Sequence, residues 1–190
     1  MRSFIRIGVA ASLIAAVAFG TLARDADASV EVRPDVRIYG PTAKLVDVGR
    51  WAVGRFEAAG LEAPPVEIHF HQELSDCGGH LGFARDGRID LCTTLVDAPA
   101  RRALLHEIGH IWLDVNTTGS LRDRFLESRG LRSWNASDDL WELRGYEQAA
   151  EILAWGLGER ILTPSIPDND PVQLSAGFEL LTGVEAPSAY

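Results

Sequence analysis

Two histidines and a glutamate stand close together near the middle of the chain, in the stretch Leu104 to Trp112. His106 and His110 are four residues apart, and Glu107 directly follows the first of them. On an α-helix, residues at this spacing lie on one face, about one turn apart. Both imidazoles can then bind one metal ion at ~2.0–2.1 Å, while Glu107 holds a water on that ion. The spacing predicts a water-activating metal site, provided that this stretch is helical and a third ligand lies nearby.

The flanking sequence predicts that helix over about residues 98–114. Asp97 is a suitable N-cap, and Pro99 falls in the first turn, where its missing N–H costs little. Gly109 lowers helix stability by roughly 1 kcal/mol relative to alanine. Close approach of another backbone is a reason to retain a glycine there.

The third ligand must come from another element, because a catalytic zinc site takes three protein ligands and a water. Glu147 and Glu151 are four residues apart on a second predicted helix, which starts near residue 138, relaxes at Gly145 and continues to about residue 161. One carboxylate can bind the ion while the other orients a ligand histidine through its free N–H. The residues alone leave open which glutamate does which.

The two motifs together, Leu-Leu-His106-Glu107-Ile-Gly-His110 and Glu147-x-x-Ala-Glu151-x-x-Ala, resemble those of the glutamate zincins, or gluzincins. Compact, secreted members of actinobacterial type are the most similar in character. The resemblance implies one Zn²⁺, hydrolysis of peptide bonds by a zinc-bound water, Glu147 as the third ligand and Glu151 as an outer partner. It also implies a compact zincin-like α+β fold with a small mixed or antiparallel sheet. The sequence departs from the family at Glu151, where aspartate is common.

The first 28 residues have the pattern of a secretory signal peptide. Arg2 and Arg6 precede a charge-free apolar run over residues 7–19, and Ala26-Asp27-Ala28 is a cleavage motif, with a second at residues 21–23. The run is shorter than the ~20 residues of a spanning helix. We therefore predict export with cleavage near Ala28 and no membrane attachment afterwards.

Composition narrows the class of protein. The remaining residues, 29–190, are long enough for one domain with its own core. The net charge of −9 argues against a nucleic-acid partner, since binding to phosphates needs clustered Lys and Arg. The expected partner is a peptide or protein substrate, and the oligomeric state stays open.

Two cysteines, Cys77 and Cys92, lie in the predicted exported part, where an oxidising compartment favours a disulfide between them. They flank a glycine-rich segment and a hairpin that turns at Asp86-Gly87. A strand of this hairpin is expected at the sheet edge that faces the cleft. Free backbone groups at such an edge can hold an extended peptide.

The remaining pattern predicts further elements outside the two motif helices. They are helices over about residues 42–59, 120–129 and 171–182, a half-buried strand over 66–71, and a polar loop over 131–139 beside the cleft. Residues 29–38 are expected to be a flexible lead or a short first strand.

A metallopeptidase also needs a donor for the oxyanion, and five residues are candidates: His69, His71, His80, Arg144 and Tyr146. His69 and His71 share the polar face of the predicted strand, so they are expected to face solvent or line the cleft. His80 lies in the glycine-rich loop, at the cleft or the surface. Tyr146 ranks low, because its ring should point away from the face that carries Glu147.

Two other interpretations remain beside the exported zinc metallopeptidase. One is a secreted, zinc-stabilised interaction module without catalysis. The other is that the His-Glu-x-x-His motif is accidental and binds no metal. The zinc content of the purified protein separates the last from the other two.

Overall fold

A five-stranded mixed sheet packs one of its faces against the hydrophobic core. The computed structural model describes residues 28–160 and 164–187, so the predicted export signal lies outside them apart from Ala28. The strands are β1 (Ala28–Arg33), β2 (Val36–Gly40), β3 (Val66–His71), β4 (Gly82–Arg85) and β5 (Arg88–Cys92), in the spatial order β1-β2-β3-β5-β4. The two outer pairs are antiparallel, and β2, β3 and β5 run parallel. β4 is therefore an edge strand, as predicted.

Five helices complete the described fold: α1 (Ala43–Ala58), α2 (Ala98–Asn116), α3 (Gly119–Arg129), α4 (Gly145–Leu157) and α5 (Pro171–Thr182). α1 packs on β1 and β2, while α2 packs on β4 and β5 and also against α4. The buried apolar side chains of these elements form one cluster. The predicted α+β class is confirmed. No helix among the described residues combines the length and apolar character needed to cross a membrane.

Alternation along the strands separates two faces of the sheet. In β3, Val66, Ile68 and Phe70 are buried towards the helices, while His69 and His71 point to the other face. β2 and β5 contribute further buried side chains to the helical face, among them Ile38 and Ile89. The period of two assigns each side chain to a face, and it directs the histidines of β3 away from α2.

The prediction for residues 29–38 was incomplete. This region forms two strands, β1 and β2, which pair antiparallel around a turn at Pro34-Asp35. β2 then pairs in parallel with β3, so it lies inside the sheet. A pairing partner 30 residues further along the chain stabilises it, and no local pattern reveals that contact.

The predicted start of the second motif helix near residue 138 was wrong, and so was its end near residue 161. A short 3₁₀ turn occupies Trp141–Leu143, Arg144 is extended, and α4 begins only at Gly145 and ends at Leu157. Carbonyl oxygens of the loop before α4 accept hydrogen bonds from the first N–H groups of the helix. Gly145 N–H donates to Ser133 O, and Tyr146 N–H donates to Trp134 O.

The predicted disulfide is confirmed. Cys77 and Cys92 are bonded, with their Cα atoms 6.0 Å apart. The bridge joins the short helical turn at Leu74–Cys77 to the end of β5, and the chain between them contains β4. Asp86 and Gly87 both have positive φ, as a two-residue hairpin turn requires. The edge strand is thus held at both ends.

Two glycines inside helices differ in the space around them. A Cβ at Gly156 of α4 would lie 2.2 Å from the ring of Phe178, which is fully buried on α5. A Cβ at Gly109 of α2 would lie 3.5 Å from Ala150 Cα, an ordinary van der Waals distance. The backbone of α4 does approach Gly109 closely, as the sequence suggested, but it leaves room for a methyl group.

We predict opposite effects of alanine at these two positions. Gly156→Ala should lower the free energy of unfolding by roughly 1–3 kcal/mol, because the buried ring must move. Gly109→Ala should raise it by up to about 1 kcal/mol through helix propensity. Thermal unfolding measures both, at about 2–4 °C for each kcal/mol. A Gly156→Ala variant as stable as the wild type would contradict the packing of α5 on α4.

Candidate metal centre

The helix that carries the motif is capped as its sequence predicts. The Asp97 side chain accepts from the backbone N–H of Ala100 at 3.1 Å, and a proline occupies the first turn. From Leu104 to Leu113 every residue is buried. That burial includes His106, Glu107 and His110, which are each less than 10% exposed. Three ionisable side chains thus lie on one helix in the interior, where they need partners.

The partner of the two histidines is Glu147 on α4. Nε2 of His106 and Nε2 of His110 are 3.0 Å apart. Oε2 of Glu147 lies 3.2 Å from each of them. The three donor atoms form a nearly equilateral triangle. It is the one group of three or more His, Cys, Asp or Glu side chains in the described part of the chain that could hold a metal ion.

The size of this triangle fits a small tetrahedral ion. Ligand atoms at ~2.0–2.1 Å from one tetrahedral centre are about 3.3 Å apart. The separations of 3.0, 3.2 and 3.2 Å in the triangle are close to that value. Two imidazole nitrogens and a carboxylate oxygen are a donor set that zinc accepts. The residues present therefore fit a bound zinc ion with one position left for water.

The protonation states also suit a cation, which needs neutral imidazole and ionised carboxylate. Burial lowers the pKa of His106, which favours its neutral form. Burial alone would raise the pKa of Glu147, but hydrogen bonds from His106 and His110 outweigh it and lower the pKa to about 2. His106 and Glu147 are thus held in the protonation states that bind a metal ion.

Glu107 has a different environment from Glu147. Burial raises its pKa to about 7, with His110 acting against this rise and Glu147 adding to it. No histidine or arginine is paired with its carboxylate in the described residues. A carboxyl group that titrates near neutrality can take and return a proton at physiological pH.

The structure separates the two candidate glutamates of α4. Glu147 belongs to the triangle, whereas Glu151 lies one turn further along and behind His106. Oε1 of Glu151 is 3.1 Å from Nδ1 of His106, off the line of a straight hydrogen bond. Its other oxygen contacts the guanidinium of Arg102. This geometry favours Glu147 as the ligand and Glu151 as the group that orients His106.

His110 is oriented by an aromatic ring instead. Its Nδ1 is buried and has no hydrogen-bond partner in the described residues. The ring of Tyr146 packs against it at a centroid distance of 4.2 Å. The expectation that this ring points away from the site was therefore wrong, because the side chain reaches across to α2. The Tyr146 hydroxyl donates to Asp114 Oδ2 at 3.0 Å and lies 3.2 Å from the carbonyl oxygen of His110.

The triangle opens into a cleft between β4 and the 3₁₀ turn at Trp141–Leu143. Its two halves meet at His106, Glu107 and Trp141, which line both. One half is lined in addition by His80, Leu81, Pro99, Arg102, Ala103 and Glu151. The other half is lined by Phe83, Ala84, His110, Tyr146 and Glu147. Gly82 of the edge strand borders both halves, so β4 runs along the cleft.

The other sequence candidates lie in different places. His80 lines the cleft, as expected for that loop. His69 stacks on Tyr39 at 4.4 Å, and Nε2 of His71 is 2.6 Å from Asp90 Oδ1. Both face a groove on the other side of the sheet, so neither lines the metal cleft. Arg144 donates to the carbonyl oxygens of Asp139 and Ser137 and holds the loop before α4.

Two residues of the site were not predicted from the sequence. Trp141 is 39% exposed and lies over His106, with the ring centroids 6.0 Å apart. The predicted helix from about residue 138 included this tryptophan, so no local signal marked it as part of the cleft. Arg102 contacts Glu151, and its position four residues before His106 places it on the ligand face of α2. Extending the helical spacing backwards from the motif would have found it.

No protein-family model, no curated protein and no solved structure matches the chain. What the protein does is therefore inferred from its own residues and their geometry.

We predict that the two glutamates of α4 differ in their effect on metal affinity. Glu147→Ala removes a donor atom and should weaken zinc binding by more than about 100-fold. Glu151→Gln should weaken it by about 10–100-fold, as is typical for outer partners of ligand histidines. Competition with a chromophoric chelator measures both, with Glu179→Ala on exposed α5 surface as the control. The opposite order of the two effects would contradict this assignment.

Proposed function

We propose that this protein is a zinc-dependent peptidase of the glutamate zincin type. The observation that carries the proposal is the triangle of His106, His110 and Glu147, with Glu107 beside it on the same helix and in the same cleft. Two neutral imidazoles and one carboxylate leave a tetrahedral ion a single positive charge and a free position. That arrangement suits hydrolysis better than purely structural binding, for which four protein ligands are usual.

When bound, zinc would lower the pKa of its water towards ~7 and polarise a substrate carbonyl. The chain's own residues perform the proton transfers. Glu107 accepts the proton that the attacking water loses and delivers it to the nitrogen of the leaving amine. Its carboxylate is suited to this by burial, which raises its pKa to about 7. Glu147 stays ionised throughout and Glu151 keeps the His106 ring in place.

The edge strand supports an extended peptide as the substrate. Gly82, Phe83 and Ala84 line the cleft, and β4 pairs with β5 on one side only among the described strands. A peptide can add to its other side through backbone hydrogen bonds, which recognise any sequence. A Cβ at Gly82 would lie 3.3 Å from Cγ of Glu107, so glycine lets the strand run close to the general base.

Three large apolar side chains line the cleft beside the triangle. Leu81, Phe83 and Trp141 are each more than one third exposed there, although large apolar side chains are normally buried. Such surfaces beside a reactive centre suit the side chains of a bound peptide. We therefore expect peptides with apolar residues near the scissile bond to be cleaved best.

The decisive variant is Glu107→Gln, which keeps the shape of the side chain and removes its ability to accept a proton. It should bind zinc as the wild type does, at about one ion per chain, because Glu107 is not part of the triangle. Its turnover should fall by about 100-fold or more, the usual contribution of a general base. Zinc content and cleavage of a mixed peptide library are the two measurements.

Equal cleavage by Glu107→Gln and the wild type would refute the mechanism. A wild type that holds zinc yet cleaves neither peptides nor cell-wall substrates would instead favour the non-catalytic interaction module. Zinc absent from the wild type at neutral pH would leave the motif without a metal function.

A further inference from the structure

A row of three side chains on α2 faces two carboxylates on α4. Arg102, His106 and His110 are spaced by four residues and share one face of α2. Glu151 and Glu147 share one face of α4, which runs antiparallel to α2. The contacts therefore alternate along the interface in the order Arg102, Glu151, His106, Glu147, His110. The metal triangle occupies one end of this row, and Arg102 occupies the other.

Within the row, Glu151 is a bridge between two groups. One carboxylate oxygen contacts Nη2 of Arg102, and the other lies 3.1 Å from Nδ1 of His106. Glu151 is 6% exposed. Arg102 has no other ion-pair or hydrogen-bond partner in the described part of the chain. Arg102 therefore has Glu151 as its counter-charge, and this ion pair lies next to His106.

The ion pair of Arg102 and Glu151 prevents the two carboxylates of α4 from competing for the metal ion. Glu147 and Glu151 are one turn apart, and either has a type of oxygen that a cation accepts. A buried carboxylate without a counter-charge is strongly destabilised and turns towards the nearest positive charge. Without Arg102, the nearest positive charge for Glu151 would be the ion itself. With Arg102, Glu151 stays behind His106 and only Glu147 reaches the ion.

We propose that Arg102 is a positioning residue of the metal centre. It holds Glu151 against His106 and thereby determines which of the two glutamates binds the ion. The inference rests on the metal centre proposed above, but it does not depend on peptide hydrolysis. Arg102 acts through Glu151 and does not touch the donor triangle.

The adjacent Arg101 provides a matched control on the same helix. It pairs with Glu159 at 3.2 Å and lies over the ring of Trp51 at 5.5 Å. Its pairing with an acidic residue resembles that of Arg102, but it contacts none of the candidate ligands. A general loss of helix charge or of an ion pair would affect both arginines alike.

The test compares zinc affinity among six proteins: wild type, Arg102→Gln, Arg102→Lys, Arg101→Gln, Glu151→Gln and the double variant Arg102→Gln/Glu151→Gln. Affinity is measured by competition with a chromophoric chelator, and thermal unfolding of the metal-free proteins checks that each is folded. Arg102→Gln should weaken zinc binding by about 10–100-fold. Arg102→Lys should recover most of that loss, because it restores the charge, and Arg101→Gln should match the wild type.

The double variant removes both members of the ion pair, so it leaves no buried charge unpaired and is the safer one to fold. If Arg102 acts through Glu151, the double variant should bind zinc within about threefold of Glu151→Gln alone. The absorption spectrum of bound Co²⁺ provides a second readout. Arg102→Gln should change it, since Glu151 then leaves His106 and competes with Glu147 for the ion, while Arg101→Gln should not.

Two results would overturn the inference. One is Arg102→Gln with wild-type zinc affinity and an unchanged Co²⁺ spectrum. The other is a double variant much weaker than Glu151→Gln, because Arg102 would then act by another route. A wild type that binds zinc and cleaves no peptide would refute only the proposed catalysis. A wild type that binds no zinc would refute this inference together with the metal centre.

Discussion

The packing of α2 against α4 is the interaction on which the rest of the structure depends. It brings His106 and His110 from one helix against Glu147 from the other, next to the apolar core. Ionisable groups in such surroundings are strongly destabilised unless charge and hydrogen bonding compensate them. A divalent cation would compensate all three groups at once, so metal binding and folding should be linked in this protein. The interface between α2 and α4 is therefore part of the core and also carries the candidate metal site.

Both sides of the site are held by rigid elements. Behind α4, the ring of Phe178 fits against Gly156, so α5 fixes the helix that presents Glu147. Across the cleft, β4 is held by its pairing with β5 and by the disulfide of Cys77 and Cys92. A 15-residue bridge of this kind contributes about 3 kcal/mol in the chain-entropy model. The cleft wall formed by Trp141 belongs to the segment that connects α3 to α4.

The sequence predicts those parts that depend on short-range signals. The α2 helix, with its cap at Asp97, its proline and its apolar pattern, extends two residues beyond its predicted end. Strand β3 and the hairpin of β4 and β5 also follow from alternation and from one turn dipeptide. In contrast, the start of α4 depends on the backbone hydrogen bonds that Gly145 and Tyr146 donate to the preceding loop, which no local pattern contains. The choice between the two glutamates depends on how far α4 is shifted along α2, and this offset likewise comes only from packing.

The central claim is that His106, His110 and Glu147 together hold one zinc ion. Anomalous scattering at the zinc edge, from crystals of the purified protein, tests it most directly. A single peak is expected ~2.0–2.1 Å from Nε2 of each histidine and from a carboxylate oxygen of Glu147. A triangle without a peak would contradict it, and so would a peak bound by Glu151 in place of Glu147.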